Sequence, residues 1–198
     1  MGINRKDLIS KLKIFNFPEK VLEAFEKVDR RLFVPTELKG ESYKDIPLPI
    51  GYGQTISQPY TIAFMLTLLG VREGQEILEI GSGSGYVLAL LSELNKSGRV
   101  YGVEKIKELA ENSKRKLKKY KNVKVIHGDA LVKYKNKKFD RIIASASFKE
   151  FPQKIVNTRL KKKGIIVAPV GDSIAVLKKD SGENKIWEYP GFRFVPIT

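Results

Sequence analysis

QEILEIGSGSGYVLALLSEL, residues 75–94, changes character twice in a short span. An apolar run ending in Glu79 and Ile80 is too short for a helix, and Gly81, Gly83 and Gly85 then follow at alternate positions. A segment with helical apolar spacing begins at Tyr86. Strand, glycine turn and helix open a βαβ unit. Downstream the alternation continues. GRVYGVE (98–104), NVKVIHGD (122–129), FDRIIASA (139–146) and GIIVAPVG (164–171) read as strands, and KIKELAENSKRKLKKY (105–120) and PQKIVNTRL (152–160) as helices. Such alternation implies parallel strands joined by right-handed crossovers. After residue 171 it stops. SIAVLKKD (173–180) and KIWEYPGFRFV (185–195) read as strands around the turn signal DSGEN (180–184). Their connection is too short for a parallel crossover, so an antiparallel pair is expected. Upstream, residues 5–28 read as two short helices, the second opened near Pro18, and residues 41–57, with Pro47, Pro49, Gly51 and Gly53, as irregular. Pro59 opens a helix over 59–69. The expected class is α/β: a doubly wound, Rossmann-like, mostly parallel sheet with a C-terminal antiparallel hairpin and N-terminal helices. One domain, 1–198, is expected, with 59–198 as its core and 1–58 as helices and a loop.

The residue types at the strand ends narrow the ligand. Glycine permits positive φ and lets a ligand approach the main chain. A dinucleotide fingerprint would read G-x-G-x-x-G, with a pyrophosphate at the helix N-terminus. Here the run is E-x-G-x-G-x-G, and an acid ahead of the glycines suits a cationic amino-acid end. S-adenosyl-L-methionine, with an ammonium and a sulfonium, is such a ligand. Glu104 ends the second strand about 20 residues beyond the glycines, where a carboxylate accepts ribose hydroxyls. Asp129, in His127-Gly128-Asp129-Ala130 at the end of the third strand, is placed to accept from an adenine amino group. Each piece alone has an ordinary reading, as a tight turn or a helix cap. Three in order, at carboxyl ends of neighbouring parallel strands, describe a ligand cleft.

Composition removes other chemistries. The 198 residues contain no cysteine and one histidine, His127, which excludes disulfides, thiolate metal sites and a cysteine nucleophile and leaves no metal site to expect. No stretch is long and apolar enough to span a membrane, and MGINRKDLISKLKIF lacks the apolar centre of a secretory signal, so a cytoplasmic protein is expected. Formal net charge is +15, with basic runs at 114–124, 133–138 and 159–163. They are mostly lysine with few interleaved aromatics, which reads as a solvated surface; nucleic acid is a possible partner but not the favoured one.

The methyl acceptor is narrowed by elimination and then by GYGQTISQP, residues 51–59. Covalent pyrimidine methylation needs a cysteine. Amino-group methylation of bases goes with an Asn/Asp-Pro-Pro-aromatic loop, where this chain has ASASFKEFP. A carboxylate, with a pKa of about 4, needs no general base. It needs orientation and exclusion of water. GYGQTISQP lies just ahead of the helix leading into the first parallel strand, and Gln54, Thr55 and Ser57 can hydrogen-bond an acceptor carboxylate.

VDRRLFVP (28–35), IPLPIGYGQTISQPY (46–60), LEIGSGSGY (78–86), Gly128-Asp129, FDRII (139–143), VAPVG (167–171) and RFVP (193–196) together resemble the protein-L-isoaspartate O-methyltransferase family. GQTISQP is the most specific of these stretches. The resemblance implies methylation of the free α-carboxylate of isoaspartyl residues in damaged proteins or peptides. The ester then closes to a succinimide, and S-adenosyl-L-homocysteine is the other product. It also implies that Ser57 is the active-site serine, aided in acceptor binding by Gln54 and Thr55. The cofactor residues it implies are Ile56, Ser57, Glu79, Gly81, Ser82, Gly83, Gly85, Glu104, Lys105, Gly128, Asp129 and Ala130. The chain departs from the family pattern at Ala130, Lys133, Ser147-Phe148-Lys149 and Ala175, which are expected around the cleft. A monomer is expected. Two other readings stay open: an RNA methyltransferase of the same fold, and a cofactor-binding homologue with an altered acceptor. His127 reads as a strand-end residue rather than a base, Trp187 as a packing residue, and Tyr86 as either a core aromatic or a cofactor contact.

Overall fold

The structure is a computed structural model and describes residues 3–130, 132–180 and 184–197. Helix α1 (Arg5–Lys13) starts at Asn4, whose side chain accepts from the Lys6 and Asp7 amides while Asp7 accepts from the Asn4 amide, a reciprocal cap. Helix α2 (Glu19–Lys27) buries Val21, Leu22, Ala24 and Phe25. A hairpin follows, β1 (Leu48–Gly51) with β2 (Gln54–Ile56), then α3 (Pro59–Leu69). Proline at the first turn starts α3, and Gly70, with φ 57°, ends it in the left-handed conformation.

The alternating core is β3 (Glu76–Ile80), α4 (Tyr86–Leu94), β4 (Arg99–Glu104), α5 (Lys107–Lys116), β5 (Val123–His127), β6 (Phe139–Ala144), α6 (Gln153–Arg159), β7 (Leu160–Val170), β8 (Ser173–Lys178) and β9 (Lys185–Pro190). The sheet order is β5-β4-β3-β6-β7-β8-β9. Strands β3 to β7 pair parallel, and β8 and β9 pair antiparallel, Lys178 lying opposite Lys185. The strand order reverses between β4-β3 and β3-β6, which is the switch point where open α/β sheets hold ligands.

Side chains alternate across each strand and feed two apolar clusters. Ile77, Val100, Ile143 and Val167 join Leu12, Phe25, Leu66 and Leu90 from α1 to α4 on one face. Leu78, Ile80, Ile142 and Ile166 join Ile155 and Val156 of α6 on the other. Glu79 shares the parity of Ile77, so its side chain projects to the α1–α4 face, at the carboxyl end of β3.

The expected class and connectivity are what the sheet shows, and four local readings need correction. Residues 41–57 are not irregular throughout. They contain the β1–β2 hairpin, turned by Tyr52 (φ 56°) and Gly53 (φ 69°), both left-handed as a two-residue primed turn requires. Helix α5 begins at Lys107, because the Glu104 side chain holds the Ile106 amide at 2.9 Å and keeps the chain extended there, and it ends at Lys116. Strand β7 begins at Leu160, directly after α6, with Lys163 at φ 60°. The last strand ends at Pro190, and residues 191–197 run back across the sheet end. The turn signal DSGEN includes Ser181, Gly182 and Glu183, which lie outside the described residues.

Candidate active site

A cleft of about 1220 Å³ opens over the carboxyl ends of β3, β4, β5 and β6. The glycine loop forms its floor. Gly81 and Ser82 donate their amides to the Val103 carbonyl at 2.9 and 3.2 Å, so the loop folds back on β4. Gly81, Gly83 and Gly85 have φ of 73°, 48° and 87°. At Gly85 an added Cβ would sit 2.8 Å from Leu117 and 3.0 Å from Ser113, so the loop is also packed too closely for a side chain.

Two carboxylates frame this floor. Glu104 is buried; it accepts the Gly83 amide on one oxygen at 2.7 Å and the Ile106 amide on the other at 2.9 Å. Each oxygen keeps a second lone pair for a ligand hydroxyl. Glu79 is 1 % exposed and accepts the Ser145 hydroxyl at 2.6 Å on one oxygen. Its other oxygen, and the buried Ser82 hydroxyl, have no partner among the described residues. Burial pushes the Glu79 carboxyl well above the usual carboxylate range; the nearby Glu104 charge adds to this and the Ser145 hydrogen bond opposes it. A buried carboxylate oxygen and a buried hydroxyl on the lining of one cleft, each without a partner among the described residues, are costly unless a ligand supplies partners. A cationic group with N–H donors fits both, and a nucleoside ribose fits Glu104, so these residues suit S-adenosylmethionine. Gly128, Asp129 and Ala130 line the β5 side, and Lys105 lines the β4 side.

The opposite wall comes from the N-terminal part of the chain. Pro47, Gln54, Thr55, Ile56, Ser57 and Tyr60 line the same cleft as the glycine loop. The structure therefore brings onto one cleft all the cofactor and acceptor residues read from the sequence except Gly85, which sits behind the loop against Ser113 and Leu117. His127 does not line the cleft; it is exposed, with Nε2 3.1 Å from the Lys105 carbonyl. Tyr86 lines the cleft and is also a core aromatic, edge-on to Phe25. Trp187 is 45 % exposed on β9, contrary to the packing role expected of it, because β9 is an edge strand. Of the departures from the family pattern, only Ala130 lines the cleft. Ala175 is buried mid-strand opposite Ala168, Lys133 covers Gly128 from outside, and Ser147 bonds to the C-terminal segment.

A search of known proteins agrees with this geometry. The family model of protein-L-isoaspartate(D-aspartate) O-methyltransferase matches residues 3–198. The chain belongs to this family. Protein-L-isoaspartate O-methyltransferase 2 of Archaeoglobus fulgidus is 45% identical over 190 residues, covering 92% of this chain and 86% of the relative. The Fervidobacterium nodosum enzyme of the same name is 41% identical over 200 residues, covering 96% of this chain and 99% of the relative. The solved structure of a Plasmodium falciparum family member, in complex with S-adenosyl-L-homocysteine, superposes with a TM-score of 0.86 at 26% identity and covers 99% of both chains.

The sequence reading missed part of the site. Phe192, Arg193, Phe194 and Val195 line the cleft because the segment after β9 is tied down by the Ser147 amide donating to the Val195 carbonyl at 2.9 Å. Phe192 stacks on Phe64 of α3 at 5.4 Å. RFVP was the available signal, but its place over the cleft depends on the return of the chain after β9. Arg30 and Asp45, which hold the Ser57 segment, were also given no role. Among the described residues no group of three His, Asp or Glu side chains is placed to hold a metal ion, and no helix is long and apolar enough to cross a membrane.

Proposed function

We propose that this protein transfers a methyl group from S-adenosylmethionine to the free α-carboxylate of L-isoaspartyl residues in damaged proteins and peptides, acting as a cytoplasmic monomer. The observation that carries this reading is the placement of Ser57 and its neighbours on the same cleft as Glu79, Glu104 and the glycine loop. S-adenosylmethionine supplies an electrophilic methyl when bound. Glu79 and the Ser82 hydroxyl receive its amino-acid end, Glu104 its ribose hydroxyls, and Asp129 its adenine amino group. Gly81, Gly83 and Gly85 let the main chain come close, and Ile56, Lys105, Gly128 and Ala130 complete the walls.

The acceptor needs little chemical help. Its carboxylate has an ordinary pKa of about 4 and is ionised at neutral pH. The protein's task is to hold one oxygen in line and keep water away. The Ser57 hydroxyl donates to the acceptor carboxylate, with Gln54 and Thr55 beside it. Tyr60, Phe192 and Phe194 provide apolar cover. No residue needs to take a proton in this step, which fits the position of His127 outside the cleft.

The test uses methyl-labelled S-adenosylmethionine with two matched peptides, one isoaspartyl and one aspartyl. Base-labile methyl ester on the isoaspartyl peptide alone is the expected result. Equal labelling of both, or of neither with cofactor bound, would sink the proposal. Ser57→Ala should then lower kcat/KM for the peptide by about tenfold or more, the worth of a hydrogen bond to a charged group.

A further inference from the structure

Ser57 stands at the foot of a weak element. The β1–β2 hairpin is a separate two-stranded sheet, and such hairpins are marginally stable alone. Gly51, Tyr52 and Gly53 at its turn all have positive φ, and an added Cβ at either glycine would meet no atom within 4 Å. Something else must hold Ser57 in place.

Two buried charges do so. Arg30, on a 3-10 turn (Arg30–Leu32), is 1 % exposed. Its Nη1 donates to the carbonyls of Ser42 (2.7 Å) and Lys44 (3.4 Å), and its Nη2 to those of Ile46 and Ser57 (both 3.1 Å). These partners are all backbone carbonyls, and its buried Nε has none among the described residues. Asp45 holds the next residues. One of its oxygens accepts the Tyr60 amide at 2.8 Å; the other accepts the Gln58 side chain at 3.2 Å and lies 3.2 Å from Lys11 Nζ. Its side chain is 3% exposed, and its charge acts on Arg30.

A guanidinium taken out of water to hydrogen-bond to backbone carbonyls, with the Asp45 charge nearby, is a costly choice for packing alone. Its planar fork presents four Nη hydrogens in fixed directions, whereas an ammonium is a compact point charge. We infer that Arg30 is a positioning residue for Ser57. It ties the Ser57 carbonyl to the 42–46 loop, while Asp45 ties Gln58 and Tyr60 just beyond it, so the hydroxyl is held for the acceptor carboxylate. This inference rests on the acceptor role proposed for Ser57.

A double-mutant cycle tests it. Arg30→Lys, Ser57→Ala and the combination are compared for peptide kcat/KM, S-adenosylhomocysteine affinity and Tm. Arg30→Lys should cost about tenfold in kcat/KM alone and less than about twofold in the Ser57→Ala background, a coupling within the range of interacting residues. Cofactor affinity should stay level. An equal loss in both backgrounds would show that Arg30 only supports the scaffold. Should Arg30→Lys fail to fold, Asp45→Asn enters the same cycle with the same two outcomes. If the unmodified protein methylates no isoaspartyl peptide, the acceptor reading fails, and amide hydrogen exchange decides the positioning role. Faster exchange confined to residues 54–60 in Arg30→Lys supports the tether; unchanged exchange, or a rise spread through the sheet, overturns it.

Discussion

Glu79 shows how one residue serves the ligand at the expense of the fold. Its carboxyl is buried; one oxygen accepts from Ser145 and the other is unpaired among the described residues. Burial raises its pKa in the folded state above the unfolded value. The sign follows from linkage. The folded protein holds this proton more tightly, so stability is highest below the ordinary carboxylate range and falls as pH rises toward the raised folded value. Glu79→Gln keeps the size and removes the titration. The variant should melt above the unmodified protein at pH 8, with the gap closing toward pH 4. Its affinity for S-adenosylmethionine should fall about tenfold or more, since a charge-assisted contact is lost. Thermal melts across pH with calorimetric titration of the cofactor check both halves. A variant that melts lower at every pH would refute the account of buried-charge cost.

At the scale of elements, the glycine loop is fixed by packing as well as by torsion. Gly85 sits at φ 87°, and a Cβ there would press on Leu117 and Ser113 of the α5 end. Gly85→Ala should therefore destabilise the fold by about 1–3 kcal/mol, from strain and overpacking together, and weaken cofactor binding. Chemical denaturation and the same titration measure both, and a loss below about 0.5 kcal/mol, the level of an ordinary surface change, would mean that the loop relaxes freely. The elements legible from sequence are those with a local stop or start. Pro59 and the helix spacing mark α3, and Gly85 with the run from Tyr86 marks α4, so their expected bounds match the observed ones. The β1–β2 hairpin was hidden for the converse reason. Pro47 and Pro49 argue against a strand, and a tyrosine in the left-handed region is not a turn signal. In the site, Glu79, Glu104 and Asp129 were legible because strand ends place them together. Arg30 and Asp45 were not, since a buried charge and a solvated one look alike until the chain folds around them.

At the scale of the whole molecule, most of the lysine-rich surface lies away from the chemistry. The cleft lies at the carboxyl ends of the parallel strands. Most of the basic runs lie toward the other end: residues 118–121 lead into β5, residues 135–138 into β6, and residues 161–163 stand at the start of β7, while Lys133 lies against Gly128 and Lys105 and Arg193 line the cleft. Lys161 and Lys137 there are paired with Asp140 and Glu76, while Lys178 faces Lys185 across the β8–β9 ladder. Strands of five or six residues put roughly 17–20 Å between the two ends, about twice the screening length in physiological salt. The lysine-rich end therefore adds little field at the acceptor. Methyl transfer to a short isoaspartyl peptide without other charged side chains should change less than about twofold between 0.1 and 0.5 M salt, and a single-stranded RNA oligonucleotide should not compete with it. A steep salt dependence, or inhibition by RNA that high salt relieves, would show that the basic end does act on the cleft. The charge would then have to be counted as part of substrate recognition rather than as a solvated surface.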